Sequence, residues 1–165
     1  MPEKRTVEAA RKDKRAGKAA STQAGEFVRE EMHHIRAGKH GARSAKQAIA
    51  IGLSKARRAG VKLGAPSAKK TSATTRRKAA ADTARGSSPG KPVSRTRSRV
   101  TTSALKREGR AAASKPALAR QAKSAAKKRG ASARSAAARK TVRTKGAAGR
   151  KAAAQKAART RKRSR

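Results

Sequence analysis

The run Glu30-Glu31-Met32-His33-His34, with His40 six residues further on, gathers two carboxylates and three imidazoles into one short stretch. Glu30 and His33, and likewise Glu31 and His34, stand three residues apart. On a helix this spacing puts a carboxylate and an imidazole on one face, where they can be offered together to a metal ion. One such helix does not complete a site of that kind, which needs further Glu-bearing helices around an enclosed core. The sequence therefore assigns His33, His34 and His40 to helix surfaces or to phosphate, and predicts no metal and no cofactor. Nucleophilic catalysis has less support still. The chain has no Cys, no Ser, His and acid stand in a distinctive order, and no segment promises an enclosed pocket. The expectation is a protein that is not an enzyme and takes no small-molecule substrate.

Phosphate chemistry is better supplied. The 48 Lys and Arg against 8 Asp and Glu leave a formal charge of +40 on 165 residues, so attraction to a polyanion dominates the surface. Six of the eight acids precede residue 32, whereas residues 65–165 carry 32 bases with only Asp82 and Glu108. Between two helical patterns, the loop Gly38-Lys39-His40-Gly41 with Arg43 leads into the free amides of a helix opening at Ser44, a suitable phosphate site. Lys46, Lys55, Arg57 and Arg58 follow on that helix. Arg76, Arg77, Lys127, Lys128, Arg129, Arg161, Lys162 and Arg163 are the candidate contacts further along. Proteins that hold single strands stack bases on aromatic rings, and Phe27 is the one aromatic residue here. Phe27 belongs to an apolar stripe and reads as core. Double-stranded DNA is thus the expected partner, gripped by charge rather than read by base; the alternatives are an RNA- or ribosome-associated protein, and a protein-interaction module of the plasmid-stabilisation kind that the basic tail anchors to DNA.

The elements that must position these groups lie early in the chain. Leu, Ile, Val and Phe number only 14, well below the ~20% that separates globular from disordered compositions, and most large apolar residues precede Gly64. Thr6 to Ala16 predicts a frayed, solvated helix stopped by Gly17, with a hinge around Ser21, Thr22 and Gly25. From Thr22 to Ile35, the residues Phe27, Val28, Met32 and Ile35 share one side of an amphipathic helix. Ser44 and Gln47 form a capping box that opens a second helix, whose Ala45, Ala48, Ile49, Gly52, Leu53 and Ala56 share a face. Gly60 supplies its stop, and Val61 folds back on the last turn. The predicted division is a basic arm (1–21), a helix-loop-helix module able to self-associate (22–64), and a polycationic tail (65–165). The tail is low-complexity Ala, Lys, Arg, Ser and Thr. Residues 103–113, 117–129, 131–143 and 147–160 are expected to be coil alone and helical once phosphates neutralise them. The fold class predicted from composition is mostly disordered with a small all-α helix-loop-helix module and no β-sheet.

Three resemblances accompany these readings. The Gly38-Lys39-His40-Gly41 loop resembles the Gly-x-x-Gly clamp of KH domains, but no segment has the strand alternation that a KH sheet requires. Ser87-Ser88-Pro89-Gly90-Lys91-Pro92 and Ser114-Lys115-Pro116 resemble the Ser/Pro/Lys turns of linker-histone tails, and the Ala-Lys runs are similar to histone-like bacterial proteins. The segment from Arg29 to Gly60, with His33, Gly38, Lys39, Gly41, Ser44 and the Gln47-Ala-Ile-Ala-Ile51 run, resembles a family of small basic bacterial proteins of unknown function, some labelled plasmid stabilisation or DNA-binding. That resemblance implies a bacterial cytoplasmic setting, and with the tail, association with the nucleoid. The first eighteen residues are charged throughout and no long apolar run occurs anywhere, so neither a signal peptide nor a membrane span is expected.

Overall fold

Three helices open the chain, α1 (Lys4–Arg15), α2 (Ala20–Arg36) and α3 (Ala45–Arg58), in a computed structural model that describes residues 2–68, 71–87 and 94–163, Lys145 through its backbone alone. Each of the three ends in the same way. Gly17, Gly38 and Gly60 follow the capping residues with φ of 67°, 75° and 85°, the left-handed region that glycine enters without steric cost. The amide one residue further on then reaches back to the last turn: Lys18 to the Asp13 carbonyl (3.0 Å), Lys39 to His34 (3.0 Å) and Val61 to Ala56 (3.1 Å). The glycine amides bond the carbonyls of Lys14, Ile35 and Arg57. This double bond pattern satisfies carbonyls that a helix end would otherwise leave open, and it swings each closing residue over the final turn. Lys18 Nζ comes to 2.7 Å from Asp13 Oδ1, Val61 is buried with Ala56, and Lys39 joins His34 on the carboxylate of Glu3.

The start of α3 follows the capping box closely. Ser44 Oγ accepts the Gln47 amide at 3.2 Å, while the Gln47 side chain accepts the Arg43 amide at 2.9 Å, one residue earlier than the usual reciprocal bond. α2 has no side-chain cap, and Ser21, Thr22 and Gly25 are ordinary residues of its first two turns rather than a hinge. α2 packs against both α1 and α3. Near its start Ala24 and Phe27 meet Ala10, Ala56 and Val61, with Val7, Leu53 and Leu63 at the margin. Near its end Met32 and Ile35 meet Ala42, Ala48, Ala112 and Ala113, flanked by Val28, Ile49 and Leu118. α1 is therefore held down by Val7 and Ala10 and is not the solvated helix its sequence suggested.

Close approach of α2 and α3 depends on Gly52. A Cβ there would sit 2.8 Å from Val28 Cα and 3.0 Å from both Val28 N and Cγ2, and the backbone part of that contact cannot swing aside. Gly25, also helical, has open space where a Cβ would stand, with nothing within 4 Å. Alanine normally favours a helix interior over glycine by about 1 kcal/mol. Gly25→Ala should show that gain, whereas Gly52→Ala should lose about 1–3 kcal/mol through overpacking. Because the chain lacks Trp and Tyr, native-state hydrogen exchange at α2 and α3 amides is the suitable measurement. The two substitutions should move stability in opposite directions, and two gains would show that the helices separate easily.

Beyond residue 64 the expectation of a mostly disordered molecule is overturned. Helices take up 79% of the described residues, and the later ones are α4 (Ala73–Ser87), α5 (Arg95–Lys106), a 3-10 turn (Ala111–Ala113), α6 (Lys115–Lys128) and α7 (Gly130–Arg163). No strand occurs among the described residues. Two physical terms outweigh the low content of large apolar residues. Ala, Lys, Arg and Gln are the strongest helix formers, and Ser hydroxyls cap three of the starts: Ser72 the Thr75 amide, Ser94 the Arg97 amide and Ser114 the Ala117 amide. Alanine also builds a core when backbones come close. Ala79, Ala112 and Ala113 are buried, α4 packs on α3, and the 3-10 turn covers the end of α2 and the start of α3.

The compact unit that holds α1 to α5 ends at Ala119, and a second unit runs from Arg120. α7 bends at Gly146, whose φ of 59° and ψ of −176° are not helical. Almost every described side chain of α7 is exposed. The two stretches beside Gly146 each exceed the about 12–15 residues at which a good helix former holds its shape without tertiary support. Of the four segments expected to be helical only when bound, 117–129, 131–143 and 147–160 are helical in the chain alone, and 103–113 is broken by the turn around Glu108 and Gly109. Ser114-Lys115-Pro116 opens α6, while the Ser88-to-Pro92 turn lies outside the described residues.

Candidate functional site

The glycine-ended helices bring acids and imidazoles together at the far end of α2. Phe27, Glu31 and Ile35 are each fully buried at four-residue intervals, so Glu31 occupies a position on the core-facing stripe. Glu30 beside it is also buried. Lys55, one face of α3 away, places Nζ 2.7 Å from Glu31 Oε2 and 3.5 Å from Glu30 Oε1. The pair at 2.7 Å is an ion pair off the direction of a hydrogen bond, and neither oxygen of Glu31 accepts a hydrogen bond from any group among the described residues. Two carboxylates thus share one ammonium in an interior that screens poorly.

The histidines complete the cluster. His40, carried back by the Gly38 turn, sets Nε2 3.4 Å from Glu31 Oε1 and Nδ1 3.1 Å from the Gly41 carbonyl. His34 sets Nε2 2.8 Å from Glu3 Oε1 and Nδ1 3.9 Å from Glu30 Oε1. The two rings stand edge to face with centroids 6.1 Å apart. Glu3 arrives from the residue before α1, where its amide donates to Glu30 Oε2 at 3.2 Å. Hydrogen bonds from His34, Lys39 and Arg5 hold the Glu3 carboxyl down at about 2, well below its ordinary range. Glu31, His34 and His40 each offer a ligand atom within 4.8 Å of the others. His33 is exposed, so the Glu30-to-His33 spacing forms no pair.

This arrangement places several of the phosphate candidates against partners within the protein. His40 and Lys55 face inward on carboxylates and are spent there. The glycine loop is not a clamp with open amides: those of Gly38, Lys39, Gly41, Ala42 and Arg43 bond Ile35, His34, Leu105, Gly109 and Gln47 in turn. A Cβ at Gly41 would run into the Glu108 carbonyl, so this glycine serves the docking of residues 105–110. Ser44 is the α3 cap. Lys39 is tied to Glu3, Arg43 lies 3.7 Å from Glu108 but is itself 80% exposed, and Arg58 lies 3.6 Å from Asp82. Arg57 is half-buried with Nε enclosed and without a hydrogen bond.

The remaining candidates stand in solvent. Lys46, Arg76, Arg77, Lys127, Lys128, Arg129, Arg161, Lys162 and Arg163 are all exposed. Sequence reasoning passed over a further cationic face on α5, where Arg95, Ser98, Arg99, Thr102, Ser103 and Lys106 line one shallow depression. Their three- and four-residue spacing was the available signal. On α7, Ser132, Ser135, Arg139 and Arg143 repeat the combination of hydroxyls and guanidinium groups. No helix among the described residues is long and apolar enough to cross a membrane.

Comparison with the curated proteins returns no match, and neither does comparison with the solved structures. Over residues 4–70, which hold α1 to α3 and every member of the buried cluster except Glu3, the chain matches the model described as a family of unknown function (DUF6496).

Proposed function

We propose that this protein binds nucleic acid, duplex DNA before other forms, by neutralising phosphates with little regard to base sequence. The observation that carries the reading is the surface beyond Arg120: residues 120–165 contain 18 Lys and Arg and no acid, and every described base of α7 is exposed. Counterions released from DNA by such a surface supply most of the free energy of binding. The hydroxyl and guanidinium faces of α5 and α7 present donors suited to phosphate oxygens. The single buried Phe27 leaves no exposed ring for stacking on unpaired bases. Coating or compacting a bacterial nucleoid is the setting that fits such a grip.

Titrating the full chain against mixed-sequence duplex at rising salt tests the reading. If about ten Lys and Arg meet phosphates, log affinity should fall against log salt with a slope near −9. Absence of binding at low salt, or binding indifferent to salt, would end it. Competition with structured RNA decides the polymer, and a preference for RNA that persists at moderate salt would move the assignment from DNA to RNA.

A further inference from the structure

We infer that Glu31, His34 and His40 form a binding site for a divalent transition-metal ion of the zinc class. With both imidazoles neutral, the hydrogen bonds at their outer nitrogens leave the inner nitrogens as lone pairs. Nδ1 of His40 faces the Gly41 carbonyl, which only accepts, so Nδ1 carries the hydrogen and Nε2 turns a lone pair toward Glu31 Oε1 at 3.4 Å. Nε2 of His34 faces the ionised Glu3 carboxylate at 2.8 Å, so its Nδ1 is left as the lone pair toward Glu30 Oε1 at 3.9 Å. Acceptors therefore face acceptors in a buried place, which is repulsive unless a cation lies among them. Glu31, with no exposed surface and no hydrogen bond at Oε1, points into that convergence.

The charge balance agrees. Among the described residues Glu30 and Glu31 share Lys55 alone as an ammonium partner, which leaves one negative charge buried when the imidazoles are neutral. Lys55 holds Glu31 Oε2 and leaves Oε1 for the ion. The outer partners match what metal-binding histidines generally have, one carboxylate and one backbone carbonyl fixing the tautomers. A tetrahedral ion with bonds of about 2.1 Å sets its donors roughly 3.4 Å apart, which is the His40 to Glu31 separation. Two imidazoles with carboxylate oxygen favour zinc over magnesium or calcium, which take oxygen alone.

The test is calorimetric titration of chelator-stripped full-length protein with zinc chloride, repeated with cobalt chloride for the visible spectrum of a tetrahedral ion. One ion per chain is expected, bound at least tenfold more weakly in His40→Gln and in Glu31→Gln, and unchanged in the control His33→Gln on the exposed face. Hydrogen exchange at α2 amides identifies any variant that has lost its fold, and His40→Gln, in a loop, is the variant that keeps the test decisive. No binding by the folded wild-type chain overturns the proposal. So does binding that His40→Gln leaves intact or that His33→Gln weakens equally.

Discussion

Lys55→Met should lower the stability of the α1 to α3 unit by about 3–5 kcal/mol in chelator-containing buffer, the cost of stranding buried carboxylates. A domain of this size holds only ~5–15 kcal/mol in all, so much of the population would open. The magnitude follows from where the partners lie. Glu31 has no exposed surface and Glu30 is 6% exposed, while Lys55 is the one ammonium among the described residues within reach of both. Methionine keeps the length of the lysine stem and its apolar contacts, so the loss isolates the charge. Adding Glu31→Gln to the same chain should recover most of the stability, because a buried amide costs far less than an unpaired carboxylate. Native-state hydrogen exchange at α2 amides reads both changes. A loss under about 1 kcal/mol would place the pair among ordinary surface ion pairs and would remove the buried charge on which the cluster argument depends.

How far this arrangement could be read from the residues differs between its parts. The Ser44 and Gln47 cap, the glycine stops at Gly17 and Gly60 and the fold-back of Val61 are local matters, each settled within five residues of chain, and they stand, with the apolar face of α3, as the sequence indicated. Gly38 and Gly41 looked alike in the loop and have unlike roles. Gly38 is needed for its positive φ, whereas Gly41 is needed because Glu108 lies against it. The second reason involves a residue 67 positions away, which no local pattern carries. Gly86 against the Arg57 carbonyl is a second case. Docking of α4 and of the 3-10 turn was hidden for a related reason, since their buried members are Ala79, Ala112 and Ala113, indistinguishable by type from the exposed alanines around them.

The cluster itself had a legible half. Glu31 falls four residues after Phe27 and four before Ile35, so it sits on the stripe that the amphipathic pattern marks as core, and a core carboxylate requires partners. Its spacing to His34 was equally visible. What the sequence could not supply was His40, delivered by the Gly38 turn, or Lys55, delivered by the pairing of α2 with α3. Counting charges assigned both to phosphate because a lysine or histidine in a basic chain has no mark of burial.

Removing residues 130–165, the whole of α7, should separate the two halves of this molecule cleanly. The deletion takes 13 Lys and Arg and no acid, yet it leaves α6 whole and touches no member of either core cluster, the last of which is Leu118. Exchange protection at α2 and α3 should therefore be unchanged. Duplex binding should not be: each phosphate that goes unneutralised takes about 0.9 from the salt slope, so if roughly half of those bases meet phosphates the slope shrinks by about 6. Affinity at moderate salt should fall by about two orders of magnitude or more. The shortened chain still carries Lys18, Lys39, Lys55 and Arg58, but these are held on Asp13, Glu3, Glu31 and Asp82 and cannot turn to the duplex without releasing a carboxylate. If the shortened chain bound duplex as tightly as the whole, the grip would have to come from the compact unit, with the α5 face of Arg95, Arg99 and Lys106 as its seat.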